Sequence, residues 1–253
     1  MPVVGAVAVV GLMGAAIGSF LNVVIHRLPR RESLVHPRSR CPSCETQIAA
    51  YDNLPVVSWL LLRGRCRTCA EPISPRYPAV ELLTAVSFAA VAAARGLDAD
   101  LIVLLPFAAV LVAVAGIDLD HRIVPNRIVV PAAIFGIAAS AFVRLDELPE
   151  LLIAGGGAFM FLLLAALAYP GGMGMGDVKL AGVMGLYLGL SVVPALFIAF
   201  LAGTAVGVAR IAREGSEARK SGVPFAPFLA LGGLVALVAG PELIELYEDN
   251  FLS

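Results

Sequence analysis

The chain has 253 residues, 59% of them hydrophobic and only 15% charged, with a formal net charge of −1 and a mean hydropathy of +0.90. Soluble domains are about half apolar and about a quarter charged, and a large soluble helical core would need charged faces at helical spacing. Residues 3–25, 151–176 and 180–209 contain no charge at all, which excludes that architecture, and the basic residues lie beside these runs rather than in a nucleic-acid-binding patch.

Apolar runs of about 18 or more residues are long enough to cross a bilayer. The pattern predicts eight spans, at 3–25, 77–95, 100–117, 127–144, 149–169, 177–189, 191–209 and 226–246. The first lacks a basic start and runs on into a polar segment, so it reads as an integral span rather than a cleaved signal. The sixth and seventh form one apolar stretch punctuated by Gly189, Ser191 and Pro194, too long for a single crossing, which predicts a tight helical hairpin. The one sizeable polar segment, 26–76, holds six prolines and little helical periodicity, and is expected to be a small, loop-rich, β-containing insert. The expected fold class is an all-α polytopic membrane protein with about eight transmembrane helices. Its parts would be a first helix (1–25), a cytoplasmic zinc-ribbon-like insert (26–76) and a membrane domain (77–253).

Charge asymmetry gives an orientation, because cytoplasmic loops gather Lys and Arg. With 26–76 in the cytoplasm, that side collects the nine arginines from Arg27 to Arg76. It also collects Arg122, Arg127, Lys179, Arg210, Arg213, Arg219 and Lys220, leaving only Arg95 and Arg144 opposite. The outer loops and tail are acidic, from Asp98 and Asp100 to Glu248 and Asp249. Both termini are therefore expected outside.

The four cysteines form two knuckles, Cys41-Pro-Ser-Cys44 and Cys66-Arg-Thr-Cys69. Paired CxxC turns about twenty residues apart suit a tetrahedral metal, each turn supplying two thiolates. A segment of about fifty residues buries little core, so a structural zinc would supply its folding energy. Four cysteine ligands leave no open position for a catalytic water. Disulfides are the alternative, but the expected compartment is reducing.

Asp118, Asp120, Asp177 and Glu81 sit at or inside the ends of apolar spans, where an ionisable group is costly and marks a functional site. Two predicted spans separate Asp118 from Asp177, so both return to the same face. Two carboxylates in one low-dielectric site share a proton, one serving as base on a water and the other as donor to a carbonyl. The glycines before Asp177 leave backbone open for an extended substrate. Structural roles stand beside this reading: Asp118 as cap of the helix near Pro125, Asp177 as N-cap of its own span, Lys179 as neutralising partner. Spacing alone does not separate a protease from a proton-coupled transporter.

Six segments in order resemble the prepilin peptidase family, the type IV leader peptidases. They are Gly18-Ser-Phe-Leu-Asn through Leu28-Pro29, the two knuckles, Pro78-Ala-Val-Glu-Leu-Leu-Thr84, and Asp118-Leu-Asp120 leading to Ile123-Val-Pro-Asn126. Gly174-Met-Gly-Asp-Val-Lys-Leu180 and Val223-Pro-Phe-Ala-Pro-Phe through Gly233 complete the set. The resemblance implies a GxGD-type aspartyl protease with Asp118, seven residues before Pro125, and Asp177 of Gly174-Met-Gly176-Asp177 as catalytic residues. Asp120, Gly174, Gly176, Lys179 and Glu81 would support them, and Cys41, Cys44, Cys66 and Cys69 would hold zinc. Asn126 stands where many members have Asp. The implied substrates are prepilins or pseudopilins, cleaved after a glycine between a basic leader and an apolar helix at the cytoplasmic face of the inner membrane. It further implies N-methylation of the new terminus with S-adenosylmethionine, for which the sequence shows no nucleotide-type glycine fingerprint. A transporter using membrane acids and a non-enzymatic scaffold docking through the zinc ribbon are the competing readings. The acids cluster at one face and no repeat is visible, which argues against the first; the second leaves the GxGD segment unexplained.

Overall fold

A computed structural model describes residues 2–169, 172–214 and 223–251. Arg219 and Lys220, named above, lie outside the described residues. Those described are nearly all helical and contain no strands, as the hydropathy pattern requires. The helices are α1 (Pro2–Arg27), α2 (Val57–Leu61), α3 (Arg76–Arg95), α4 (Leu101–His121), α5 (Asn126–Val143), α6 (Leu148–Ala168), α7 (Met175–Leu188), α8 (Val192–Glu214) and α9 (Ala226–Phe251). Among the described residues, seven stretches are long and apolar enough to cross a membrane, the stretch Met175–Glu214 counting once. It is broken at Gly189, whose φ of +56° suits a residue without a side chain, so α7 and α8 make the total eight. The protein is a multi-pass membrane protein.

The chain divides into two compact units, Met1–Ala93 and Ala94–Ser253. In the first, α1 and α3 run antiparallel. Asn22 Nδ2 donates to the Tyr77 carbonyl at 3.1 Å. A Cβ on Gly18 would lie 2.7 Å from Glu81 Cα, and one on Gly14 2.8 Å from Phe88 Cβ. Small residues at such a seam let backbones approach where lipid supplies no hydrophobic drive between helices. The insert between the two helices is irregular. Its expected β content is reduced to two isolated bridges, Arg40 with Gln47 and Arg65 with Pro72.

The second unit is built around α4 and α7. Most of α4 from Val103 to Asp118 is buried, as is most of α7 from Asp177 to Tyr187. α6 and α7 lie antiparallel through a glycine seam: a Cβ on Gly185 would meet Gly155 Cα at 2.6 Å, and one on Gly189 would meet the Glu150 carboxylate at 2.6 Å. The chain then turns back, because a Cβ on Gly203 of α8 would lie 3.4 Å from the Phe225 and Phe228 rings at the start of α9, whereas one on Gly240 of α9 would meet Ser191 Cβ at 2.6 Å. The hairpin is therefore real, but its legs lean on different neighbours, α7 on α6 and α8 on α9. Tyr187 locks the centre. Its ring stacks on Phe107 at 4.2 Å and 7°, and its hydroxyl donates to the Ala132 carbonyl at 2.7 Å. Gly136 makes room for that ring, its Cβ position lying 2.7 Å from it. Such a stack contributes about 0.5–1.5 kcal/mol beyond area burial.

Candidate active site and metal centre

α4 ends where Arg122 takes a left-handed conformation (φ 54°) and its N–H closes on the Asp118 carbonyl at 2.9 Å. Ile123 and Val124 then lead to Pro125, which disfavours helix at the residue before it, and α5 starts at Asn126. Asp118 thus falls in the last turn of α4, with 5% of its surface exposed. Its Oδ2 accepts the backbone N–H of Ala226 at 3.1 Å. Asp118 does cap a helix, but it is α9, not the one near Pro125.

α7 begins after Gly174, the N-cap, in extended conformation. Asp177 is the third helical residue, not the cap, and is 9% exposed. Its Oδ2 lies against Gly174, 3.3 Å from where a Cβ would stand. A Cβ on Gly176 would meet Val124 Cβ at 2.7 Å, so the missing side chain lets the first turn of α7 rest on the segment leaving Asp118. Lys179 Nζ, one residue beyond Val178, donates to Asn126 Oδ1 at 3.0 Å and ties α7 to the start of α5. The last turn of α4 and the first turn of α7 thus place both buried aspartates at the same end of the unit.

The structure therefore brings Asp118, Asp177, Gly174, Gly176, Lys179 and Asn126 to one end of the second unit. Asp120 is exposed at the end of α4. Glu81 belongs to the first unit, where it is buried and its Oε2 accepts the Val56 N–H at 2.7 Å. The Ala226 amide is the participant that residue types did not reveal. The only signal was the apolar run that predicted a span beginning at 226.

In the insert the knuckles repeat one conformation. Cys41 N–H bonds the Thr46 carbonyl at 3.0 Å and Glu45 N–H the Cys41 carbonyl at 3.0 Å. Cys66 N–H bonds Glu71 at 2.8 Å and Ala70 N–H bonds Cys66 at 2.9 Å. Glu45 and Ala70 both have positive φ, 55° and 59°. The four Sγ atoms lie within 4.8 Å of one another, with Cys41–Cys69 at 3.7 Å and Cys44–Cys66 at 4.0 Å. A tetrahedral ion with zinc–sulfur bonds of about 2.3 Å needs sulfurs about 3.8 Å apart, so the thiols fit such an ion. Their acidities show the crowding. The Thr46 hydroxyl and backbone bring Cys44 down to about 6. For Cys69, the Glu71 backbone lowers the thiol, but burial and the other three sulfurs outweigh it and push it up to about 12. A dication relieves that conflict by taking four thiolates at once.

Fold and charge placement together define a polytopic membrane protein with a buried acidic pair at one end of a helical unit and a cluster of four thiols close enough to hold a metal ion. Residues 12–95 match the bacterial peptidase A24 N-terminal domain, and residues 105–208 match the type IV leader peptidase family. A prepilin leader peptidase/N-methyltransferase of Aeromonas hydrophila is 36% identical over 97% of this chain and 94% of its own length. The Bacillus subtilis protein of the same name is 34% identical over 93% and 95%, and that of Myxococcus xanthus 40% over 81% and 63%. No solved structure matches. The chain belongs to the type IV leader peptidase family and is a peptidase.

Proposed function

We propose that this membrane peptidase removes the basic leader of type IV prepilins or pseudopilins, cutting after a glycine at the cytoplasmic face of the inner membrane, with Asp118 and Asp177 as its catalytic pair. The observation that carries this is the convergence of two buried carboxylates at the ends of α4 and α7. One carboxylate takes a proton from water, which attacks the scissile carbonyl carbon. The other, protonated, donates to the carbonyl oxygen; the proton then passes to the leaving amine as the C–N bond breaks. The Ala226 N–H holds Asp118 Oδ2 in place. Gly174, half of the GxGD turn and exposed, leaves backbone open to an extended peptide, and the Lys179–Asn126 bond steadies the turn. The cytoplasmic assignment rests on the charge distribution of the sequence.

The relatives' names carry a second activity, and we extend it to this chain: methylation of the new terminal amine, with S-adenosylmethionine as methyl donor. No residue is assigned to that step. Cys41, Cys44, Cys66 and Cys69 would hold a structural zinc, with no position left for substrate.

The test is a cleavage assay on purified protein in detergent. The substrate is a peptide with a basic leader, glycine and apolar helix, read by mass spectrometry with the methyl donor present. Asp118→Asn and Asp177→Asn should each abolish cleavage and Asp120→Asn only weaken it. A harsher effect at Asp120 would refute the choice of Asp118, and an added methyl mass would establish the second activity.

A further inference from the structure

We propose that residues 54–61 of the insert are seated in the membrane interface, with their outer side chains against lipid. The segment is apolar on the outside: Leu54, Val57, Leu60 and Leu61 are 53%, 51%, 61% and 77% exposed. Its depth is set by Glu81. That residue faces Gly18, which lies nine residues before the end of α1 at Arg27, about 13 Å along the helix axis. The Val56 N–H bonds the Glu81 carboxylate at 2.7 Å, so α2 is tethered to the flank of a span rather than beyond its end. Beside Glu81 on α3, Leu82, Leu83 and Val86 are also exposed. α2 therefore sits beside a membrane-crossing helix whose own exposed side chains are apolar.

The backbone of the segment is prepared for a medium without water, where every polar group needs a partner. Leu54 N–H donates to Ser58 Oγ at 3.1 Å, and Ser58 Oγ donates to the Tyr51 carbonyl at 2.9 Å. The N–H groups of Ser58, Leu60, Leu62 and Gly64 close on Leu54, Val56, Ser58 and Trp59. Arg63 and Arg65 follow and are exposed, in keeping with cations at headgroup level. The seat reaches the metal centre through Trp59. Its indole N–H donates to the Ile73 carbonyl at 3.0 Å, and Gly64 (φ +66°) packs under its ring, directly before the second knuckle. Lipid contact would thus fix the height of that knuckle.

Trp59 is the only tryptophan in the chain, which makes the proposal measurable. The full chain is reconstituted in phosphatidylcholine vesicles carrying bromine either near the glycerol or at the chain ends. The same is done with a Trp59→Phe/Leu61→Trp variant, checked for retained zinc. An apolar face sunk about 5–10 Å into the headgroup–acyl boundary should be quenched about twofold more by the shallow bromines than by the deep ones, at both positions. Equal or stronger quenching by the deep bromines would overturn the proposal. So would insensitivity to both while aqueous acrylamide quenches freely. If the variant loses zinc, the parent protein decides alone.

Discussion

Gly176→Ala adds a single carbon at the joint between the two aspartate-bearing segments. That carbon would stand 2.7 Å from Val124 Cβ and 3.2 Å from its Cγ2, whereas carbons pack best at about 3.5–4.0 Å. Relief requires α7 and the Ile123–Pro125 segment to part by about 1 Å, and Asp177 is the next residue. Overpacking of this size costs about 1–3 kcal/mol, which a folded protein survives. A displacement of about 1 Å in a positioned catalytic group costs about a hundredfold in rate. The expected result in the leader-cleavage assay is therefore kcat/KM down about a hundredfold, with the thermal transition lowered only slightly. Because the clash is Cβ to Cβ, Val124→Gly in the same chain should restore part of the activity, and Val124→Ala should not. Parental activity in Gly176→Ala would refute the idea that this contact sets the carboxylate geometry.

The metal centre should lose its ion in Cys41→Ser or Cys66→Ser: metal analysis is expected to fall from about one zinc per chain to near none, and a parent protein without zinc would refute the assignment. Lys179→Met and Asn126→Ala should each lower activity. The double variant should be little worse than either single one, with a coupling of about 0.5–3 kcal/mol, because both remove the same 3.0 Å bond. Asp52 is held below the usual carboxylate range by hydrogen bonds from Arg67 of the second knuckle. Its contribution is therefore present at pH above the unfolded value of about 3.9 and is lost as pH falls through the lower folded one. Asp52→Asn should destabilise the insert by up to about 1 kcal/mol at neutral pH, with the difference fading in acid, as measured by chemical denaturation at several pH values.

Much of this architecture was legible because lipid imposes simple rules. A long apolar run must be a span, so 149–169 appears as Leu148–Ala168 and 127–144 as Asn126–Val143. The break at Gly189 was readable because no single helix of that length suits a bilayer. The insert was harder. Its polar composition suggested an aqueous module, and nothing in the residue types announced that the Glu81 carboxylate holds the Val56 N–H. Long-range pairs such as Asp118 with the Ala226 amide, 108 residues apart, leave no periodic mark, since any residue type but proline supplies that N–H.

α7 has 14 residues, about 21 Å of helix, against a hydrocarbon core of about 30 Å. Hydrophobic mismatch is penalised where a helix meets lipid, and α7 is wrapped by protein over most of its length. It can therefore stop short of the boundary while its longer neighbours reach it, leaving a dimple above its first turn. Asp177, the third residue of α7, would then sit below the level of the neighbouring helix ends. Bulk water and an unwound stretch of peptide can descend to it there, while the rest of the membrane keeps its full thickness.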